Sequence, residues 1–552
     1  RIFRATFALL LVAFIATVAF LIYVPWVQNV GGRGVITTLN PNERQQDINA
    51  LVGRDAADWL ADEMAKSQTE FLPPLEQRFQ ANNRKLPDDS NSPLTWNAFI
   101  QGNDQFRLRT MFALSQIIVA SDLVSGGATE SQKAAYYIDR LGANTFGNYR
   151  DLIEDITYAP MMAQYLTYLR NQKGNGFGRM PDENYAREIM QLFSIGLVEL
   201  NLDGSVKTNA QGNPIETYTN ADVEGLARVF TGLAQAGGEF NGNGAYQNSM
   251  SRPLEMFDRK HSPEEKVFLG VTIPPNTGGD ESISIALDTL YDHPNVGPFM
   301  AKRLIQRFTA SSPSPDYIER VATAFNSGRF TAPNGRQFGE GVRGDMAATM
   351  AAIMLDESLF DGRIEATEGK VREPVIRFVH WARAFNVGNI DSENERPMRD
   401  TSSPDDGLGQ HPIRSPSVFN FYRPGYVAPQ TESGDAGMTV PEFQIANSVA
   451  SIGYANFMAD YIMDRTSTFD DSNTFVPNYT TEIGLADNPE ALADHLNIYL
   501  TGGMMTEENR QDIIDVVSAL PLRDDALAED RLTRAEAAIF VAINTPAYAV
   551  AR

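Results

Sequence analysis

Apolar residues recur at helical spacing through most of the chain, so that polar faces alternate with faces suited to a core. Turn-forming residues separate the helical segments. One segment, "YRDLIEDITYAPMMAQYLTYL", contains Pro160, which predicts a break into two helices. The clearest of the other segments are "DQFRLRTMFALSQIIVAS", "HPNVGPFMAKRLIQRF", "PDYIERVATAFN", "GDMAATMAAIMLDESLF" and "EPVIRFVHWARAFN". The pattern predicts a large multi-helix body.

The segment from Asp104 to Ser121 is apolar around much of its circumference. A helix of this kind is normally buried among other helices. One of its sides also carries two polar residues among apolar ones: Phe106, Arg109, Phe112, Ala113 and Gln116.

Strand signals are few, and the best lies between Val198 and Thr219. The pair Asp203 and Gly204 is typical of a hairpin turn, and a second turn follows at "QGNP". The next helix is predicted to begin with Asn220 as its N-cap. The predicted fold is therefore mainly α, with a small β-hairpin excursion and an N-terminal transmembrane helix.

The transmembrane prediction rests on the segment from Ala5 to Trp26, which has no charged residue. As a helix it reaches roughly 33 Å, enough to span a bilayer core. Because Arg1 and Arg4 precede it, we expect an N-terminus in the cytoplasm and a body in the periplasm or outside the cell. A cleaved signal peptide is the alternative. The predicted division is a transmembrane signal anchor at 1–26, which contacts the bilayer, a tether at 27–46 and a helical body at 47–552.

Composition narrows the choice of partners. The 552 residues carry a net charge of −24, and no cluster of Lys and Arg offers a surface for nucleic acid. Acidity of this kind usually serves solubility, and it leaves calcium or a basic partner open. There is no cysteine, which excludes disulfides, thiolate metal sites and a cysteine nucleophile.

The stretch "PDENYAREIMQLFSIG", from Pro181 to Gly196, concentrates charge on one helix. Asn184, Arg187 and Glu188 fall on one polar stripe at helical spacing. The stripe is interpreted in two ways: as the polar face of an amphipathic helix, or as the wall of a cleft. In the second case these three residues are the catalytic candidates, together with His411.

A second polar and aromatic stretch is "QHPIRSPSVFNFYRPGY", from Gln410 to Tyr426. Its aromatic rings suit stacking on a ligand, and they equally suit the anchoring of a loop to the core. Four residues are ligand-binding candidates: Arg414, Asn420, Tyr422 and His261.

Known catalytic motifs are missing from the sequence. There is no HExxH, GxSxG or P-loop pattern, and no cofactor or metal site is predicted. Calcium is conceivable at "NLDGS" or "DRTSTFDDSN", although neither matches the EF-hand pattern.

Several blocks, in order, resemble the domain-of-unknown-function 1800 family of bacterial proteins. They include "LRTMFALSQIIV", "PDENYAREIMQLFSIGL", "HPNVGPFMAKRLIQRF", "GKVREPVIRFVHWARAF" and "SPSVFNFYRPGY". The resemblance runs from about Asp47 to the end of the chain. It implies a fold group and no particular reaction. Many members resemble "ENYARELLELHTLG", with histidine where this chain has Phe193.

We therefore expect a scaffold or binding subunit of a membrane-associated assembly, with other membrane or envelope proteins as partners. The alternative is an envelope hydrolase that acts on polysaccharide or another polar substrate through Glu188, Arg187, Asn184 and His411.

Overall fold

The computed structural model describes residues 55–82, 91–122, 128–241, 251–360, 369–387, 400–463 and 476–551. Most of these residues are helical, as the periodicity predicts. The helices up to residue 292 are α1 (Ala56–Ala65), α2 (Leu72–Ala81), α3 (Asn91–Gln101), α4 (Gln105–Ile117), α5 (Ala128–Ala143), α6 (Tyr149–Thr157), α7 (Pro160–Tyr165), α8 (Asn184–Glu188), a π-helix (Ile189–Ser194), α9 (Asn220–Val229) and α10 (Gly279–Asp292).

The remaining helices follow the same pattern and end close to the C-terminus. They are α11 (Val296–Phe308), α12 (Pro315–Ser327), α13 (Met346–Met354), a 3-10 helix (Glu357–Leu359), α14 (Pro374–Ala384), α15 (Glu432–Asp435), a second 3-10 helix (Pro441–Gln444), α16 (Ser448–Ile462), α17 (Thr480–Leu485), α18 (Pro489–Thr501), α19 (Glu507–Ala519), α20 (Leu527–Ile543) and α21 (Pro546–Ala549). The four long segments predicted between residues 293 and 386 are confirmed as α11 to α14.

Strands occur as two-stranded antiparallel sheets, each two or three residues long. The pairs are β1 (Leu233–Ala234) with β2 (Glu255–Met256), β3 (Lys266–Phe268) with β4 (Val271–Ile273), β5 (Phe330–Thr331) with β6 (Gln337–Phe338), and β7 (Lys370–Val371) with β8 (Val550–Ala551). The predicted excursion at 198–219 forms only isolated antiparallel bridges, such as Val198 with Glu216. Its many polar and turn residues leave too few consecutive pairs for a ladder.

Local signals explain where several helices begin and end. Ser314 caps α12 through a hydrogen bond from the backbone N–H of Tyr317, and Gly328 ends the helix with φ +64°. Pro160 begins α7, so the predicted break is confirmed. The N-cap of α9 is Thr219 and not the predicted Asn220, because Thr219 forms a reciprocal capping box with Asp222.

A single hydrophobic cluster runs from Ala57 to Tyr548 and joins early helices to late ones. Helix α11 packs against α4, α12 and α13, while α14 packs against α3 and α18. The segments that carry the buried charges described below therefore meet inside one core.

The predicted single-pass membrane localisation is corrected. Across the described ranges, no helix combines the length and the apolar character needed to cross a bilayer. The predicted anchor at 1–26 and the tether at 27–46 both lie outside those ranges. The transmembrane helix of the predicted fold class is thus not among the helices that the structure describes.

Candidate functional site

The signature stretch changes its helical geometry at Glu188. Helix α8 ends there, and the π-helix Ile189–Ser194 follows directly. A π-turn adds a residue to each turn, so the spacing that defined the polar stripe no longer applies beyond Glu188. Gly196 closes the stretch with φ +74°. Single π-turns inside helices are frequent at functional sites, and this one begins directly after Glu188.

Two of the catalytic candidates have partners at the surface. Arg187 pairs with Glu183 at 3.1 Å, and both side chains are about 40% exposed. The two residues are an i,i+4 pair on the helix, and the stabilising effect of the pair is small because water screens it. The Asn184 amide donates to the hydroxyl of Thr167 at 3.4 Å. Neither the Arg187 nor the Asn184 side chain donates a hydrogen bond to Glu188.

Glu188 itself is buried, with 8% of its surface exposed. Its Oε2 atom has no hydrogen-bond partner among the described residues. Burial raises the pKa of Glu188 above its ordinary value, against a smaller opposite effect of Arg187. Its charge in turn helps burial to raise the pKa of Tyr165 to about 12. Glu188 thus stands apart from its stripe as a buried acid.

His411 occupies a separate, fully packed position. It is 2% exposed, and its Nε2 lies 3.1 Å from the hydroxyl of Ser92. Its Nδ1 accepts from the backbone N–H of Thr401 at 3.2 Å. Burial lowers the pKa of His411 to about 4, with a further lowering by Arg414. His411 is therefore neutral and held in place, and it shares no hydrogen-bond partner with Glu188.

The Pro-rich loop is anchored to the body through its polar residues. Arg414 contacts Asp122 and Asp400, each at 3.2 Å. Asn420 is buried and accepts a hydrogen bond from the hydroxyl of Ser415 at 3.1 Å. Arg414 and Asn420, two of the ligand-binding candidates, thus hold the loop in its conformation.

The same loop carries a strained backbone. Ile413 adopts φ +60° and Asn420 φ +61°. The left-handed region is common for asparagine but costly for a β-branched residue such as isoleucine. Backbone strain of this kind persists only where surrounding contacts impose it.

Tyr422 leads from this loop into a buried group of charges. The tyrosine is 1% exposed, and the Arg307 guanidinium stacks on its ring at 4.6 Å from the centroid. Burial raises the pKa of Tyr422 well above its ordinary value, so the phenol stays protonated. We call this group the charged centre. It consists of Arg109, Arg307, Lys370, Glu373, Glu442 and Tyr422.

Glu373 lies in the middle of the charged centre and is fully buried. Gln410 donates to its Oε2 at 2.7 Å, and Gln116 donates to the same atom. Arg109 lies 4.0 Å from its Oε1. Burial opposes the ionisation of Glu373, but Lys370, Arg109 and Arg307 outweigh burial and lower its pKa. The carboxylate is therefore ionised inside the core.

Lys370 and Glu442 form the second part of the charged centre. Their side chains are 3% and 1% exposed and make a direct ion pair. The hydroxyl of Ser311 donates to Glu442 Oε2 at 2.8 Å and accepts from the backbone N–H of Val371 at 3.0 Å. Burial lowers the pKa of Lys370, while Glu442 and Glu373 oppose that effect.

The charged centre joins segments that are far apart in the sequence. Arg109 comes from α4, Arg307 from α11, Lys370 from β7 and Tyr422 from the Pro-rich loop. Of the candidates taken from the sequence, only Tyr422 belongs to it. In the sequence, the charged centre is indicated only by two polar residues, Arg109 and Gln116, on one side of a helix that is otherwise suited to the core.

The last ligand-binding candidate, His261, lies elsewhere. It is 4% exposed, and its Nδ1 lies 2.8 Å from the carbonyl oxygen of Thr231. Burial lowers its pKa. At the first conceivable calcium loop, "NLDGS", the Asp203 carboxylate accepts from Ser205 within its own turn. The second, "DRTSTFDDSN", lies outside the described residues. Over the ranges of chain that the structure covers, no group of three or more His, Asp or Glu side chains is placed to hold a metal ion.

Comparison with known proteins identifies a family but no activity. The family model described as "Protein of unknown function (DUF1800)" matches residues 37–550. The resemblance stated from the sequence blocks is thereby confirmed. No curated protein and no solved structure matches the chain significantly.

Proposed function

The chain belongs to the DUF1800 family, and we propose that it acts as a binding or scaffold subunit that holds a partner protein through a rigid surface loop. The observation that carries this proposal is the exposure of Phe177. Its side chain is 94% exposed, and Met180 beside it is 64% exposed. We call residues 173–180 the Phe177 loop. It leads directly into the signature stretch.

The Phe177 loop is fixed by its own hydrogen bonds. The Asn175 side chain accepts from the backbone N–H of Phe177 at 2.9 Å and of Arg179 at 3.0 Å. Gly176 and Gly178 adopt φ +70° and +100°, which a side chain would disfavour. A loop already held in one conformation loses little entropy when it binds, so a rigid exposed phenylalanine is suited to a protein contact.

The charges around the loop indicate what kind of partner fits. Lys173, Arg179 and Lys260 lie at its base, where the backbone N–H of Lys173 donates to the Lys260 carbonyl at 3.0 Å. Where the structure describes the chain, none of these three has an acidic partner within ion-pair distance. The chain as a whole carries a net charge of −24. A partner with an apolar pocket and an acidic rim is therefore the best match.

A photo-crosslinking residue at position 177, in the protein expressed in its native host, tests the proposal. The partner protein captured by the crosslink is then identified and purified, and its affinity for the unlabelled chain is measured. We expect Phe177→Ala to weaken binding by about 10- to 100-fold, because a buried phenylalanine contributes about 1.5–3 kcal/mol. The control is Ile498→Ala, which removes another apolar side chain, 63% exposed, from a distant helix.

Equal affinity of the Phe177→Ala variant and the unchanged protein would refute the proposal. So would crosslinking to many proteins without one that binds after purification. Both variants must keep the melting temperature of the unchanged chain, which separates loss of binding from loss of folding.

The hydrolase alternative is favoured by one observation, the raised pKa of the buried Glu188. A carboxyl group whose pKa is raised by burial keeps its proton to higher pH than an exposed one, which is the direction that general acid catalysis requires. Turnover of a panel of oligosaccharides, abolished by Glu188→Gln at unchanged melting temperature, would establish it in place of the scaffold function.

A further inference from the structure

Arg307 is a buried cation without a hydrogen bond for much of its guanidinium group. The residue is 2% exposed, and its Nε and Nη1 atoms are buried with no hydrogen-bond partner in the described part of the chain. Its guanidinium group stacks on the ring of Tyr422. Burying an arginine in this way is costly unless something else satisfies its donors.

Two further arginines lie beside Arg307. Arg109 donates from Nη2 to the backbone carbonyl of Arg307, while its Nη1 is buried without a partner. Arg303 is one turn before Arg307 on α11 and stacks on Phe299 at 5.0 Å. No acidic side chain of the described residues lies within ion-pair distance of Arg303 or Arg307. Burial and the proximity of Arg307 lower the pKa of Arg303 to about 10.

The nearby negative charges do not balance these cations. Glu442 is neutralised by Lys370. Glu373 is the remaining carboxylate, and it faces two guanidinium groups, Arg109 and Arg307. The protonated Tyr422 hydroxyl is buried beside Glu373 and can donate a hydrogen bond to an oxyanion. The local excess of positive charge and of free donors is what an oxyanion requires.

We propose that Arg307, Arg109 and Arg303, with the hydroxyl of Tyr422, form a binding site for a small oxyanion, a phosphate or carboxylate group. Access lies on the side of Arg109, whose side chain is 16% exposed. Arg303 is also partly exposed. This site is separate from the Phe177 loop, so it stands or falls independently of the proposed partner contact.

Binding is tested with inorganic phosphate, sulfate and acetate on the full chain, by calorimetry at constant ionic strength adjusted with sodium chloride. We expect one of these anions to bind and to raise the melting temperature. Arg303→Gln, a change at a partly exposed position, is expected to weaken that binding at least tenfold. Arg259→Gln is the matched control, since Arg259 is an exposed arginine outside the site.

The three anions separate the possible ligand types. Binding of phosphate and sulfate alone identifies a phosphate-type site, and binding of acetate identifies a carboxylate site. If none binds, or if Arg303→Gln and Arg259→Gln bind equally, the proposal is overturned and water satisfies the donors. Arg307→Gln adds a second readout: its melting temperature must no longer respond to the anion that stabilises the unchanged protein.

Discussion

The ion pair between Lys370 and Glu442 offers the clearest quantitative test of the charged centre. Both residues are buried, and Ser311 adds a hydrogen bond to the carboxylate. The pair connects β7, which is bonded to the C-terminal strand β8, with the 3-10 helix Pro441–Gln444. Removing one partner leaves the other charged, buried and uncompensated.

The expected cost of one such removal is about 3–5 kcal/mol of the free energy of unfolding. Lys370→Met should lie at the upper end, because Lys370 faces both Glu442 and Glu373. Glu442→Gln should cost less, because Lys370 then keeps Glu373 as a counterion. The double variant Lys370→Met/Glu442→Met removes both charges and should lie within about 2 kcal/mol of the unchanged protein.

Equilibrium urea unfolding, followed by fluorescence and circular dichroism together, provides the free energies for a double-mutant cycle. The control is the exposed pair of Glu183 and Arg187, where Glu183→Gln should cost less than about 1 kcal/mol. If Lys370→Met costs no more than this control, or if the two single effects simply add in the double variant, then the pair is not buried and coupled as described.

Three further predictions concern positions outside the charged centre. Because the folded-state pKa of Glu188 is raised, the stability that this group contributes is present at low pH and is lost as pH rises through that pKa. Glu188→Gln should therefore melt at an equal or higher temperature than the unchanged protein at pH 7. In a pH series of thermal melts, the melting temperatures of the two proteins should converge below about pH 4. His411 has a folded-state pKa of about 4, so the free energy of unfolding should fall by up to about 3 kcal/mol as pH drops from about 6.5 to 4. In urea titrations, His411→Gln should reduce this dependence of the free energy of unfolding on pH. In Gly225→Ala the new Cβ would lie 1.8 Å from the Val267 carbonyl oxygen, so this variant should be strongly destabilised. Gly484 has open space around it, so Gly484→Ala should be neutral or slightly stabilised. A comparison of the two melting temperatures checks both expectations.

Most of the helices could be predicted because their signals are local. The break at Pro160 and the end of α12 at Gly328 each depend on one residue and its neighbours. The π-helix after Glu188 could not be found in this way, since a spacing argument assumes the α-helical period throughout. The same assumption placed Glu188 on one stripe with Asn184 and Arg187, although only Glu188 is buried.

The partners of buried charges were beyond the reach of the sequence for a different reason. The sequence places Glu188 on a polar stripe with Arg187, yet Arg187 reaches outward to Glu183 and the Glu188 Oε2 atom has no partner among the described residues. Arg109 and Lys370 are separated by 261 positions in the numbering and still act on the same carboxylate, Glu373. Such contacts depend on how whole helices pack, which no spacing along the chain encodes.

The distribution of unpaired cations gives the two proposals a common physical basis. A chain with a net charge of −24 has acids in excess, so each cation has many opportunities to find a partner. Arg179 at the Phe177 loop and Arg303 beside the charged centre nevertheless have no acidic partner within ion-pair distance where the structure describes the chain. Arg179 lies on an exposed loop close to the apolar side chain of Phe177. Arg303 lies beside Arg307, a buried arginine whose Nε and Nη1 atoms have no hydrogen-bond partner among the described residues. Cations that are held rigidly without an acidic partner are suited to bind a negatively charged group from outside the chain. At the Phe177 loop that group would belong to a partner protein, and at the charged centre it would be a small oxyanion.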